Sequence, residues 1–465
     1  MKQTYKNYLF SNFKTEYSTQ NLQKNELTLD KFYNIKFDKG VIKSASDFRD
    51  YFINKFDNLT EYNLFFNKNE EILRKIIYLA VYNFNNEETK IKDERYFLIC
   101  EDLSLYEINF SDYLITDLNI KFDTFPTVFY KDGYLYFYDN SGVYICDCDN
   151  EIQFYSDVLK PKCYAEQDDN FYFIIEDFVT VVFISEKTKL INLNPNIDIY
   201  DKIELDYKNG KILKLIVMKN KLYIFQQYKI SVYDVYASRN QIISECELTS
   251  KIINNTIFCI NDYIVFLTTN GLMLFDGNNL ELAFNDICAD VNFNYEKMFS
   301  FVFNEKYYLS AEIKYNDSYK LGLFSFDFER EDLICYVLDK TINDYEIIKT
   351  DNEYSLILFC ENDLGKSVLI QTSDPSQSLK TISFNKIYFD TSDNKQINSI
   401  KFFASGEFKF KIISDVESFE VDIYGNYFIQ NLSIKGHLFK FEIYSKSDFE
   451  IEAILVNVMS VEDEV

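Results

Sequence analysis

The chain of 465 residues contains one histidine and no tryptophan. A Ser-His-Asp or Cys-His catalytic site would have to use that single imidazole, His437, and a zinc site built on several histidines is excluded. His437 lies in IKGHLFKFEIYS with no nucleophile motif beside it, so a structural or surface role is expected. No run of 18 apolar residues is present, so no membrane-spanning helix is expected. The first residues, MKQTYKNYLFSNF, lack the apolar centre of a signal peptide. Glycine (11) and proline (4) are scarce, while Asn, Lys, Ile, Tyr and Phe abound, as an AT-rich coding sequence would produce. Basic residues are also in deficit, 48 against 74 acidic ones, for a net charge of −26. Such a surface repels phosphate backbones, which argues against sequence-specific nucleic-acid binding unless a basic patch is assembled locally.

What is abundant is aromatic and apolar alternation. Tyr (38) and Phe (45) suit half-buried pleated surfaces. The nine cysteines are odd in number, unclustered and mostly inside apolar strands (Cys100, Cys259, Cys335, Cys360), which fits reduced core thiols.

Two copies of one pattern stand in tandem, KLYIFQQYKISVYDVYASRN from Lys221 and DYIVFLTTNGLMLFDGNNLE from Asp262. Each reads as an apolar strand, a short polar turn, a second apolar strand and a polar break, which describes a β-hairpin. The unit recurs with first strands beginning at Tyr96, Tyr134, Phe171, Leu222, Tyr263, Tyr307 and Tyr354, a mean spacing of 43 residues. A four-stranded propeller blade requires about 40–50 residues. The spacing therefore predicts an all-β, seven-bladed β-propeller over residues 61–375, with six or eight blades left open.

Residues 1–31 read as polar and irregular. The alternating pair FYNIKFDKGVI, Phe32–Ile42, is the expected ring-closing strand, and Ser44 or Ser46 opens an expected short helix over 44–58, both within an N-terminal arm of residues 1–60. A strand is expected from about Ile76, and a longer loop or extra strand around Pro195 and Gly210. After a break at Asp374-Pro375-Ser376 the strands shorten, with turns at Ser405-Gly406 and Tyr424-Gly425-Asn426, and residues 376–465 are expected to form a small C-terminal β-sandwich with a frayed acidic tail.

Motifs that would carry chemistry do not assemble. Cys146 and Cys148 share C-x-C spacing without a second cysteine pair, so no metal site is expected. Gly365-Lys366-Ser367 resembles the end of a phosphate loop, but Cys360 stands where its first glycine belongs and a strand follows. Glu176-Asp177 and Asp147/Asp149 are carboxylate pairs of the kind chance produces in an acidic chain, and Gly142 and Gly271 read as hairpin turns. The expectation is a protein that is not an enzyme, with no catalytic, cofactor-binding or metal residues and no cofactor.

Four stretches carry a resemblance: NIKFDKGVIKSAS (from Asn34), KFDTFPTVFYKDGYLYFYDN (from Lys121), NKLYIFQQYKISVYDVYASRN (from Asn220) and IKGHLFKFEIYSKSDFEIEAILVNV (from Ile434). They resemble β-propeller virion proteins of tailed bacteriophages, in particular the packaged-DNA stabilisation or tail-hub proteins of short-tailed phages and related prophage proteins of Gram-positive bacteria. The resemblance implies a structural component of the virion neck or tail: a homo-oligomeric ring near the portal, contacting head-completion, tail or fibre proteins, made in the host cytoplasm. The alternatives are a cytoplasmic propeller scaffold that binds peptides and a carbohydrate-active propeller.

Overall fold

The computed structural model describes residues 5–11, 27, 29–50, 76–85, 92–109, 114–131, 134–146, 152–156, 158–167, 170–175, 180–184, 201–234, 242–284, 291–292, 294, 298–315, 318–329, 332–338, 341–350, 353–362, 365–375, 378–390 and 393–460.

Seven antiparallel sheets of four or five strands follow one another along the chain. Blade 1 is Ile76–Asn85, Lys92–Cys100, Ser104–Asn109 and Leu114–Lys121. Blade 2 is Thr127–Lys131, Tyr134–Tyr138, Gly142–Cys146 and Ile152–Ser156, and blade 3 is Pro161–Gln167, Asn170–Ile175, Thr180–Ile184 and Asp201–Glu204. Blade 4 runs Ile212–Met218, Lys221–Gln226, Lys229–Asp234 and Ile242–Glu247; blade 5 runs Phe258–Ile260, Tyr263–Thr268, Gly271–Phe275 and Leu280–Phe284. Blade 6 uses Val291–Asn292, Ser300–Phe303, Lys306–Tyr315, Ser318–Asp327 and Asp332–Leu338. Blade 7 is Thr341–Thr350, Glu353–Asn362, Gly365–Pro375 and, as its fourth strand, Ser46–Asp50 from the start of the chain.

The leading strands of neighbouring sheets lie against one another: 161–167 against 127–131 and 212–218, 212–218 against 258–260, 258–260 against 300–303, and 341–350 against 76–85. This is the inner ring of a β-propeller, and the last contact joins blade 7 to blade 1. Every hairpin expected from the alternation occupies the second and third places of a blade. Those strands are covered on both faces, so their apolar content is high: Leu222 to Phe225 and Ile264 to Leu267 are at most 1% exposed.

Several expectations are corrected. The ring is closed by Ser46–Asp50, where a helix was expected, and Phe32–Ile42 lies elsewhere. Pairing Gln371 with Phe48 covers the open edge of 365–375, and Phe48 then packs edge-on against Tyr336 at 5.3 Å. A ladder of that kind outweighs the weak helical preference of so short a segment; residues 51–58 lie outside the described set. Residues 5–11 are a strand, Tyr5–Ser11, paired with 453–459 and held by Tyr8 and Phe10, which point inward. Ser405-Gly406 makes no hairpin. The strand Lys395–Ser414 runs unbroken for 20 residues and bends there.

That bent strand builds the C-terminal sandwich. Its first half pairs with Phe449–Ser460, Tyr427–Ile429 and Ile434–Gly436, its second with Ser418–Tyr424 and Phe439–Ser445. Phe402 and Phe410, on opposite sides of the bend, meet at 4.8 Å and are fully buried, each contributing roughly 2–3 kcal/mol through lost apolar surface. Gly406 sits at φ +80°, and a Cβ there would stand 2.1 Å from the Asp448 carbonyl oxygen. Gly406→Ala is expected to lose about 2 kcal/mol, from left-handed strain and the clash, read as a lowered urea midpoint. The hairpin expected at Tyr424-Gly425-Asn426 is also absent: Ser418–Tyr424 and Tyr427–Ile429 both pair with the long strand, on either side of its bend, and the Gly425 N–H donates to the Gly406 carbonyl (2.8 Å), so the two stretches bend together.

Phe32–Ile42 belongs to this sandwich too, as Leu29–Tyr33 beside Lys380–Phe384, with Ile35–Asp38 and Val41–Ser44 on the far edge. Asn34 fastens the sandwich to the propeller. It is 4% exposed and left-handed, with φ 56°. Its N–H donates to the Cys335 carbonyl (2.7 Å), its Oδ1 accepts from the Val337 N–H (3.1 Å), its Nδ2 donates to the Leu379 carbonyl (2.9 Å) and its carbonyl accepts from Ala45 (3.0 Å). One apolar core then runs from the sandwich into blades 5 and 6.

Candidate functional site

Among the described residues, two places depart from the ordinary acidic surface. The first is one mouth of the inner ring. Cys163, Lys214 and Phe258 each fall within the first three residues of the leading strand of blades 3, 4 and 5, which places them at the same end of the ring. In blades 3 and 4 the register slips there, between Pro161 and Cys163 and between Ile212 and Lys214. The extra residue re-aims the side chain that follows it. Leu213 and Ile216 pack in the seam toward blade 5, while Ile212 and Leu215 pack toward blade 3. Lys214 reaches toward blade 5, its amine 4.1 Å from the centroid of the Phe258 ring.

The amine is half-buried and enclosed by protein on nearly every side. It has no carboxylate partner among the described residues; its contacts are the Phe258 face and the neighbouring Cys163. Burial pushes its pKa down to about 8, and the Cys163 thiol is pushed up to about 12 by the same cause, against a hydrogen bond from the Leu215 backbone. The thiol stays protonated at neutral pH and supplies no negative charge. The leading segments around these residues, 158–164, 207–214 and 248–258, hold six lysines and no aspartate or glutamate. Asp206, just ahead of the second, is turned onto the Lys208 N–H at 2.9 Å as the cap of a short turn.

The second place is the outer face of the sandwich sheet that carries Tyr5–Ser11. Cross-strand register sets rows on it: Lys435, Gln396, Met459 and Tyr5; then Phe428, Lys401, Leu455 and Leu9; then Phe403, Ala453 and Ser11. Tyr5 (59%), Leu9 (60%) and Phe428 (50%) are exposed. Between the rows Asn457 donates to Asn7 at 2.8 Å, and Lys401 lies 4.7 Å over the Phe403 ring. No carboxylate stands in these rows. The other sheet's outer face is the opposite, a lattice of charges in which Lys409 pairs with Glu420 (3.0 Å) and Asp422 (3.8 Å). A groove of about 450 Å³ beside it is lined by Lys409, Asp422, Tyr424 and Tyr444, with Lys409 and Asp422 paired to each other.

The residues singled out by sequence do not come together. His437 holds Asp415: its Nδ1 lies 3.0 Å from Oδ2, and the His437 and Leu438 N–H groups donate to Oδ1. Desolvation, the largest single influence, pushes the carboxyl up, but the hydrogen bonds from His437 and Leu438 together outweigh it and bring Asp415 down to about 2. Ser414 next door spends its hydroxyl on the turn to Glu417 and on the Lys435 carbonyl. Cys146 accepts a hydrogen bond from Arg95 (3.1 Å), itself forked onto Glu107 and stacked on Phe97; Cys148, Asp147 and Asp149 lie outside the described residues, as do Glu176 and Asp177. Among the described residues no three His, Cys, Asp or Glu side chains cluster in metal-binding fashion. Gly365-Lys366-Ser367 opens a strand, and Gly142 and Gly271 are hairpin residues. Lys214 and Phe258 were missed by sequence reasoning; the run of lysines without carboxylates before three successive inner strands was the signal that could have found them.

No protein-family model matches the chain, and no curated protein matches it. Solved structures similar to it include BBS1N in complex with ARL6DN (10% identity, 64% of this chain and 96% of that one, TM-score 0.40). Others are the Neurospora crassa Pan2 WD40 domain (9%, 65% and 90%, 0.37) and the N-terminal domain of Nup159 (8%, 70% and 96%, 0.38). These identities speak to the fold alone, and the seven sheets themselves carry that assignment. Among the described residues no helix is long and apolar enough to cross a membrane.

Proposed function

We propose that this chain is a non-catalytic assembly protein, a propeller that associates with copies of itself through the outer face of its C-terminal sandwich. The observation that carries the reading is the composition of that face. Copies of a chain with net charge −26 repel one another over most of their surface. Rows of Tyr5, Leu9, Leu455, Met459, Phe428 and Phe403 without a carboxylate provide a place where two copies meet with least repulsion, and an apolar patch paired with itself forms an isologous contact. In its more specific form the protein is a virion component at the neck or tail of a phage particle; the resemblance of the four sequence stretches supports this, and the expected partners there are portal, tail or fibre proteins.

Sedimentation velocity tests the self-association. The protein is expected to form dimers or larger species at micromolar concentration. Leu9→Asp combined with Phe428→Asp is expected to weaken association at least 100-fold, about 3 kcal/mol, and yield monomers of unchanged circular dichroism. A monomeric parent protein at tens of micromolar would remove the reading. For the virion form, mass spectrometry of purified particles is expected to find the chain at constant copy number per portal; its presence only in the soluble lysate would leave the scaffold form.

A further inference from the structure

The mouth formed by blades 3, 4 and 5 is marked by lysines in the leading segments of all three blades, with Asp206 and Glu247 just outside them. Lys160, Lys162, Lys208, Lys211, Lys214 and Lys251 fall in 26 residues that hold no carboxylate, inside a chain with 74 of them. Five of these sit at or before the strand starts. The sixth, Lys214, is recessed between strands by a β-bulge and faces Phe258. A recessed ammonium is ordinarily paired with a carboxylate; among the described residues this one is opposed by the Phe258 face and the protonated Cys163 thiol, the arrangement of a half-built ion pair.

We propose that this mouth binds an acidic peptide segment and seats one of its carboxylates on Lys214, with the stem of that side chain against Phe258. The surrounding lysines raise the local concentration of acidic ligand and orient it, while the recessed amine makes the one desolvated ion pair. The three segments contain no arginine, the residue suited to two-pronged phosphate recognition. A nucleic-acid backbone would also have to continue over the acidic surface beyond the mouth, and a short peptide does not. The contact is separate from the sandwich face and stands whether or not the chain self-associates.

The probe is a capped hexapeptide of alternating glutamate and leucine, compared with its glutamine counterpart and with inorganic phosphate. Reductive dimethylation of the full chain is followed at Lys214 by peptide mass spectrometry. The glutamate peptide is expected to slow labelling of Lys214 at least fivefold at saturation, with the glutamine peptide and phosphate leaving the rate unchanged. Equal slowing by both peptides, slowing by phosphate alone, or no slowing by any probe would overturn the proposal. Fluorescence anisotropy of the labelled glutamate peptide is expected to show at least tenfold weaker binding to Lys214→Met and binding within threefold of the parent for Lys214→Arg. Undiminished binding to Lys214→Met would also overturn it.

Discussion

Replacing Lys214 by methionine is expected to stabilise the folded protein at pH 7 by about 3 kcal/mol. In the folded state the amine loses its proton near pH 8, because burial disfavours the ammonium, against 10.5 for an unburied lysine. Each pH unit of that difference corresponds to about 1.4 kcal/mol. The sign follows from linkage. Below pH 8 both states carry the proton, and the folded state bears the full unfavourable burial of the charge. Between pH 8 and 10.5 the unfolded chain binds more protons than the folded one, so stability of the parent rises with pH. The advantage of Lys214→Met should therefore be constant below pH 8, shrink above it, and vanish near pH 10.5. Urea midpoints of parent and variant at pH 7 and pH 10 measure this, the difference cancelling the other groups that titrate. A variant no more stable than the parent at pH 7 would mean that the amine is solvated in the free protein. A side chain that weakens its own fold is one whose role is to meet a ligand, which is why the variant that gains stability is the one expected to lose peptide binding.

Why the propeller was legible in the sequence and its mouth was not comes down to what each strand faces. The second and third strands of a blade are covered by neighbouring blades on both sides, so their apolar runs and polar turns stand out, as in Leu222–Phe225 and Ile264–Leu267. The outer strands are half wet. Ile242–Glu247, with Ile243 among its exposed residues, carries no such signal and reads as a polar break. Pairings between the two ends of the chain were hidden for another reason. Tyr5–Ser11 and Ser46–Asp50 are ordinary short segments until 453–459 and 365–375 offer them an edge, and local preference says nothing of an edge 300 to 450 residues away. Gly406 misled because glycine between two apolar runs signals a turn, while here it lets one strand bend from sheet to sheet. Lys214 was invisible because a lysine among surface lysines reads as a solvated charge. Only the bulge at Ile212, a property of the paired strands, turns it inward.

Asn34→Ala is expected to cost about 3 kcal/mol, and to do so chiefly by loosening the sandwich from blade 6. The side chain's two hydrogen bonds reach in different directions, one to Val337 in the outer strand of blade 6 and one to Leu379 ahead of the sandwich strand Lys380–Phe384. Alanine leaves that N–H and that carbonyl without their partner, at roughly 1 kcal/mol each, and adds roughly 1 kcal/mol for a Cβ-bearing residue held at positive φ, a region where asparagine is favoured. Asn34→Gly separates the terms, since glycine keeps the backbone angle and loses only the hydrogen bonds, so its loss should be nearer 2 kcal/mol. Asn34→Asp offers a third reading: it keeps an acceptor for Val337 but sets a carboxylate against the Leu379 carbonyl oxygen, and should be at least as damaging as alanine. Hydrogen exchange locates the effect. Faster exchange at Val337 and Ala45, with the hairpin Tyr134–Cys146 of blade 2 on the other side of the ring unchanged, is the expected pattern for a clasp that joins two bodies. Uniform acceleration over the whole chain would instead make Asn34 part of a single cooperative unit, and the continuous apolar core between the sandwich and blades 5 and 6 would be the stronger link.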